Sequence, residues 1–462
     1  MRSIIPILLA ILAASCTQKE AKEEYAIISG KLSNSDIGSV RLISINGDFN
    51  KEIPVNKEGQ FLDTLFLTAE MPHRLTDGVN HIVLYLEKGY SAHLNYDPKD
   101  FGNSIRFEGS GADLNRYYLQ KQDKNREIEG MDFETFYGLE EPAFIKKVEE
   151  LNLAINGLLD STVNIPEYVR EKEKRAIDHY SIIQLAQYKD FAHADVTANP
   201  NFKVSESFED KRSSMSFLNK EDFDYSVMYN SLVQLHFKEQ IKQRAQKDSL
   251  VDPNEVFFQV VGEIPVENIK NAVLYRTVWG SIPYIKNVDS YYEKFMSLST
   301  NETHKKEITD AYNRIKKIKP GANSPTFEAY ENHAGGHSSL EDFQGKYVYI
   351  DVWASWCAPC IKEVPDLKEA EKKYRGKNIE FLSISIDTDR SYDDWKTMVV
   401  DKALVGVQLI ADKAWDSEFV KDYQIKGIPR YILVDPEGKI VNAMAPSPSS
   451  DELEATLKEL DL

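Results

Sequence analysis

The spacing of apolar residues changes twice along this chain, and those changes limit what it can fold into more than any single motif. From Tyr25 to about Glu108 the pattern is short alternating runs broken by turn residues: Tyr25–Ser29, Ser39–Ile45, Gly59–Leu67, His81–Leu86 and Ser91–Tyr96. A period of two puts every second side chain on one face of a strand. Asn46-Gly47-Asp48 and Asn56-Lys57-Glu58-Gly59 have hairpin chemistry, because Asn and Gly tolerate positive φ. The spacing predicts a small antiparallel, β-sandwich-like domain over residues 25–111. No cluster of catalytic residue types stands out there.

From about Ala112 to Lys319 the period becomes helical. Phe144, Val148, Leu151, Ile155 and Leu158 recur at spacings of four and three and make one apolar stripe, as do Ile308, Ala311, Tyr312 and Ile315. Pro166, Pro253 and Pro265 sit near expected helix starts, where a missing N–H costs little. Residues 112–319 therefore read as a helical domain or insert, with its tyrosines as packing residues rather than a ligand cage.

Lys319-Pro320-Gly321-Ala322-Asn323-Ser324-Pro325 is a linker by composition. Over residues 320–462 strand and helix then alternate. Tyr347–Trp353 is a buried-type strand, Cys357 to about Arg375 a helix, Ile379–Asp387 a strand and Tyr392–Val400 a helix. Val407–Ala411 is a short strand and Trp415–Tyr423 a helix. Arg430–Asp435 and Lys439–Met444 are strands, and Asp451–Leu460 is the last helix. This is an α/β domain with a mixed sheet. A length of 462 residues agrees with a multidomain chain: an all-β amino-terminal domain, a helical middle region and a carboxy-terminal α/β domain. The net charge of -18 argues against nucleic acid as a partner, since a phosphate backbone needs a basic face.

The chain has three cysteines, Cys16, Cys357 and Cys360, too few for a disulfide scaffold. Arg2, the apolar run Ile4–Ala14 and the small residues before Cys16 describe an export signal over residues 1–16. The run is too short to span a bilayer, which takes ~20 residues. Ala13-Ala14-Ser15-Cys16 resembles a bacterial lipobox, with Ala13 where a leucine is usual. The resemblance implies that Cys16 is lipidated and anchors the chain to a membrane; an ordinary signal peptide is the alternative. Residues 17–24 are polar and charged and read as a tether.

Cys357 and Cys360 stand where a strand ends and a helix begins. Free N–H groups and the helix dipole stabilise a thiolate there. A two-residue gap lets the second sulfur reach the first, and Pro359 suits a first helical turn. Cys357, expected nearer the surface, is the attacking thiol, and Cys360 resolves the mixed disulfide. Structural zinc would need four ligands, and no second CxxC supplies the missing pair. His333 and His337 flank Gly335-Gly336, which reads as loop. No metal and no cofactor are expected.

Asp351-Val352-Trp353-Ala354-Ser355-Trp356-Cys357-Ala358-Pro359-Cys360 resembles the active-site segment of thioredoxins, and Gly427-Ile428-Pro429 resembles their cis-proline loop. Ser324-Pro325-Thr326-Phe327, Leu340 and Phe343-Gln344-Gly345-Lys346 are similar to the TlpA/ResA-like thiol-disulfide oxidoreductases, which are membrane-anchored and face the periplasm. Residues 25–320 resemble the amino-terminal region of TlpA-like lipoproteins from Bacteroidota.

The resemblance implies a thioredoxin-like fold for about 322–462. It also implies catalytic roles for Cys357, Cys360 and Pro429, and client binding at Trp356 and Ile428, where Pro429 holds an extended peptide by backbone pairing. Asp351 takes the place of the buried thioredoxin aspartate. Burial would raise its pKa and suit it to shuttle the Cys360 proton, the alternative being a satisfied polar residue at a strand end. Glu363 matches a helix glutamate of ResA-like proteins and would tune the thiols, the alternative being a solvated first-turn glutamate. Trp353 is expected in the core. Arg430 replaces a small residue usual after the proline; an acidic partner and an altered substrate choice are both open.

The expected activity is thiol-disulfide exchange on disulfide-containing client proteins outside the cytoplasm. Ala358-Pro359 supplies no histidine to stabilise the thiolate further, so reduction is the expected direction, with electrons from a membrane thiol donor. Apocytochrome c cysteines are one client class. A binding or adaptor lipoprotein with an accessory dithiol is the alternative. A peroxiredoxin-like peroxidase is less favoured, because Ala354 gives no hydroxyl three residues before Cys357.

Overall fold

In the computed structural model the described residues are 24–45, 49–67, 70–129, 132–247, 251–285 and 287–462. The export signal with Cys16, the tether up to residue 23 and the Asn46-Gly47-Asp48 turn lie outside them. The chain forms two compact units, Met1–Lys242 and Gln243–Leu462, so the helical stretch is divided between them.

In the first unit, strands β1 (Ala26–Leu32), β4 (Gln60–Leu65), β7 (Ser91–Tyr96) and β8 (Arg106–Gly109) form one sheet in the order β4-β1-β7-β8. Strands β2 (Ser39–Ser44), β3 (Asn50–Pro54), β5 (Met71–Thr76) and β6 (His81–Leu86) form another in the order β3-β2-β5-β6. Ile28, Leu94 and Phe61 from the first sheet and Leu42, Leu75 and Leu84 from the second share one core. All neighbours are antiparallel except β1 and β7.

The Asn56–Gly59 turn is not a hairpin, because the strands it joins, β3 and β4, belong to different sheets. It is a corner. Asn56 Oδ1 accepts the N–H groups of Glu58 and Gln60 at 3.0 and 2.8 Å, and Gly59 adopts φ 77°. A Cβ there would stand 2.1 Å from the Leu32 carbonyl oxygen, so only glycine fits.

Helices α1 (Ala112–Glu129), α2 (Glu141–Ser161) and α3 (Glu167–Gln187) follow, and α4 (Val227–Lys247) spans the division between the units. The buried stripe of α2 is Phe144, Val148, Leu151, Ile155 and Leu159; Leu158, expected in it, is only half-buried. A run of 3.6-residue turns drifts off a strict alternation of fours and threes, which moves the last contact on by one residue. The tyrosines of this region pack and hydrogen-bond. Tyr117, Tyr118 and Tyr225 donate to the buried Glu173 carboxylate at 2.9, 2.7 and 2.9 Å, and Lys121 pairs with it at 2.7 Å.

The second unit holds α5 (Pro253–Gly262), α6 (Glu267–Ser281), α7 (Val288–Leu298) and α8 (Glu302–Ile315), then a seven-stranded mixed sheet. Its strands are β9 (Tyr330–Asn332), β10 (His337–Ser338), β11 (Tyr347–Trp353), β12 (Ile379–Ser385), β13 (Val407–Ile410), β14 (Arg430–Val434) and β15 (Ile440–Asn442), in the order β10-β9-β13-β12-β11-β14-β15. Helices α9 (Ala358–Tyr374), α10 (Tyr392–Asp401), α11 (Glu418–Asp422) and α12 (Asp451–Glu459) connect or follow them. The helix expected from Trp415 starts only at Glu418, after a short 3-10 turn.

The segment read as a linker is pinned to the sheet. Gly321 N–H donates to Ile440 O, Ile440 N–H to Ala322 O, and Ser324 N–H to Gly438 O, at 2.8, 2.8 and 2.9 Å. Ile318 just before it is buried in the domain core. Gly335 and Gly336 form the turn of the β9–β10 hairpin, both at positive φ. No helix among the described residues is long and apolar enough to cross a membrane.

The burial of α2 gives a direct check. Leu159→Ala should lower the unfolding free energy by about 2–5 kcal/mol and Leu158→Ala by about 1 kcal/mol, measured by urea denaturation. Equal losses would contradict the placement of the stripe.

Candidate active site

Strand β11 is buried from Val348 to Trp353, and the chain then leaves the core and returns within four residues. Ala354 and Ser355 are buried, Trp356 is 54% exposed, and Cys357 caps α9. The turn is held from below by Asp387, two residues past the end of β12. Its buried carboxylate accepts the Ser355 N–H and hydroxyl, both at 2.8 Å, and the Ser385 hydroxyl at 2.7 Å. A buried carboxylate with three donors is well satisfied without a cation. In the sequence Asp387 carries one signal, a Ser-x-Asp at the close of a long apolar run.

At the helix start, Cys357 takes an extended conformation, φ -86° and ψ 91°, and its Sγ accepts the Cys360 N–H at 3.2 Å. Pro359 lies in the first turn, where its missing N–H leaves no acceptor wanting. Cys357 and Cys360 are joined as a disulfide, with Cα atoms 5.2 Å apart. Contrary to the expectation that Cys357 lies nearer the surface, it is not the more exposed of the two: both are buried, at 4% and 5% exposure. What distinguishes Cys357 is its place at the cap, where the first-turn N–H and the positive end of the dipole meet its sulfur.

Asp351 sits mid-strand in β11, beside Ser383 of β12 and Tyr431 of β14 in register. Burial, reinforced by the nearby Glu363 charge, pushes its pKa up to about 7, against a hydrogen bond with Ser383. Its Oδ1 has no hydrogen-bond partner. Glu363, half-buried on α9, is held by Ser449, which donates its N–H at 3.1 Å and its hydroxyl at 2.8 Å. Its charge reaches Asp351.

Val352 and Arg430 are register partners, so β14 begins where β11 ends. The topology thereby sets the Ile428–Pro429 peptide at the sheet end from which the dithiol emerges, and that peptide is cis. Arg430 is buried. Its Nε donates to Ala443 O at 3.0 Å, and its guanidinium lies 5.6 Å from the Tyr284 ring centre, so an aromatic face stands where an acidic partner was one expectation. Trp353 is in the core, as expected. Trp415, which the sequence did not mark, approaches Trp356 at 6.5 Å between ring centres. No cluster of metal-ligating residues occurs among the described residues.

A cysteine-capped helix fed by a central strand of a mixed sheet is the thioredoxin arrangement, and a vicinal dithiol at that cap exchanges disulfides. The chain is a thiol-disulfide oxidoreductase in class. Residues 319–458 match the Redoxin family. The thiol-disulfide oxidoreductase ResA of Bacillus cereus is 29% identical over 150 residues, 32% of this chain and 83% of that protein. A thiol-disulfide oxidoreductase from Bacteroides fragilis is 34% identical over 30% of this chain and 98% of its own, with a TM-score of 0.27. The thioredoxin domain of a Bacteroides vulgatus thiol-disulfide oxidoreductase is 33% identical over 31% and 98%, with a TM-score of 0.28. Through this carboxy-terminal third, the chain is similar to the TlpA/ResA-like thiol-disulfide oxidoreductases of the thioredoxin family.

The raised pKa of Asp351 has a stability consequence. The folded state holds the proton that the unfolded chain gives up near pH 3.8, so this group costs stability as pH rises from about 4 through about 7. Asp351→Asn should remove that cost and make the protein more stable than the parent at pH 8, by about 2–4 kcal/mol, with little difference at pH 4. Denaturation at the two pH values checks it; a gain at pH 4 equal to that at pH 8 would contradict it.

Proposed function

We propose that this chain is an extracytoplasmic, lipid-anchored reductase of protein disulfides. The observation that carries it is the Cys357 sulfur at the helix cap, taking a hydrogen bond from the Cys360 N–H. In the reduced protein that site favours the Cys357 thiolate, which attacks a client disulfide. A Cys357–client bond forms, and the other client sulfur leaves as a thiolate that takes up a proton. Cys360 then attacks Cys357 Sγ, forms the intramolecular disulfide and releases the second client thiol. The client gains two electrons and the dithiol loses two. A membrane thiol donor restores the dithiol.

Asp351, with a pKa near neutrality, is suited to accept the Cys360 proton as that thiol attacks. Burial, with the Glu363 charge adding to it, keeps that pKa high. Ile428 and Pro429 hold the client strand by backbone pairing, and Trp356 covers it. Clients with paired cysteines, apocytochrome c among them, suit such a site. The anchor is Cys16, and the protein faces the periplasm or cell surface. The domain boundaries are a β-sandwich-like region over 25–111, a helical region over 112–319 and a thioredoxin-like domain over 320–462.

Trapping tests the reading. Cys360→Ala should accumulate mixed disulfides on Cys357 in the cell envelope, seen as adducts released by dithiothreitol and identified by mass spectrometry. Cys357→Ser in the same background should give none. Equal adduct levels in the two variants would contradict the assigned roles.

A further inference from the structure

The cis-proline segment is held at both of its ends by one turn of the helical part of the second unit. Lys426 Nζ lies 4.0 Å from the Trp279 ring centre, and the Arg430 guanidinium lies 5.6 Å from that of Tyr284. Between them stand Gly427, Ile428 and Pro429, of which Gly427 has no side chain to pack. Trp279 and Tyr284 flank the turn that ends α6. That turn is rigid: Val278 and Ile282 are fully buried, and Pro283 lies in its short 3-10 stretch. The two aromatic rings are not core residues, being 39% and 45% exposed. They contact the loop and still present a face to solvent. Arg314 of α8 adds a third tie to the same domain, bonding Asp422 and approaching Glu418 at 3.9 Å.

We propose that Trp279 and Tyr284 are positioning residues that clamp the cis-proline segment, and that this clamp makes the site selective for polypeptide disulfides over small ones. Cations lying over aromatic faces are attracted by the ring quadrupole, most strongly where they are partly desolvated, as both are here. A client polypeptide has to pair its backbone with residues 427–429, so it gains affinity from a loop already fixed in place. A small disulfide needs only the sulfur and is indifferent to the loop. The inference rests on the proposed reductase reading for its second half, whereas the clamp stands on geometry.

Two measurements on the full chain keep these apart. Hydrogen–deuterium exchange needs no activity: Trp279→Ala with Tyr284→Ala should speed amide exchange in residues 426–430 about tenfold, while Trp279→Phe with Tyr284→Phe, which keeps both rings, should stay near the parent. The second measurement is oxidation of the reduced protein by insulin and by a small aromatic disulfide, dithiobis-nitrobenzoate. The ratio of the two second-order rate constants should fall about tenfold in the alanine pair and recover in the phenylalanine pair. Unchanged exchange in residues 426–430 of the alanine pair would overturn the clamp. Rate constants that fall together, leaving the ratio constant, would overturn the selectivity, and a parent protein inert towards both disulfides would overturn the reductase reading while the exchange result still decided the clamp.

Discussion

The first-turn N–H groups of α9 have no helical carbonyl to bond, and one of them points at the Cys357 sulfur. Around that contact the domain is arranged. Strand β11 runs through the core up to the sheet end where the cap sits, and its last six residues are buried. The turn between strand and cap must be stiff, and Asp387 fixes it through Ser355. What remains of the turn, Trp356, is left outside. The sulfur is thereby placed without being exposed.

Two buried carboxylates stand near this cap, Asp351 within β11 and Asp387 just past the end of β12, and their surroundings differ. Asp387 is saturated by three donors, whereas Asp351 has an unpartnered oxygen and a raised pKa. The first is built to hold structure. The second has the property that the proposed reaction asks of a general base, a pKa near neutrality. Glu363 supports this from α9, its own carboxylate kept in place by Ser449.

Much of the carboxy-terminal domain is legible in the sequence because its signals are local. A long apolar run followed by Trp-Cys-x-x-Cys specifies a buried strand, a tight turn and a capped helix within 14 residues of chain. Strands β6 and β7 are likewise plain from their alternation. Strand β5 is not, since Pro72 and Arg74 interrupt its pattern, and neither is β3, an edge strand with one buried residue. The segment 319–325 has linker composition yet pairs with β15, because glycine and proline say how a backbone bends and not what it bonds. Asp387, Trp415, Trp279 and Tyr284 went unmarked for a related reason. Their partners are distant in sequence or lie in another element, and only the folded chain brings them together. The positions of Asp351 and Glu363 follow from the resemblance to thioredoxins and ResA-like proteins; the electrostatic link between them does not.

The account makes the dithiol a reductant: the cap gives the Cys357 thiolate one N–H and the helix dipole, the Cys-Ala-Pro-Cys ring supplies no further donor, and buried carboxylates lie nearby. The reduction potential of the Cys357–Cys360 couple, measured by equilibration with glutathione buffers of known ratio, tests this most directly. Strong thiolate stabilisation separates oxidants near -120 mV from thioredoxin near -270 mV, so the account predicts a value at or below about -250 mV. A value above about -180 mV would contradict it.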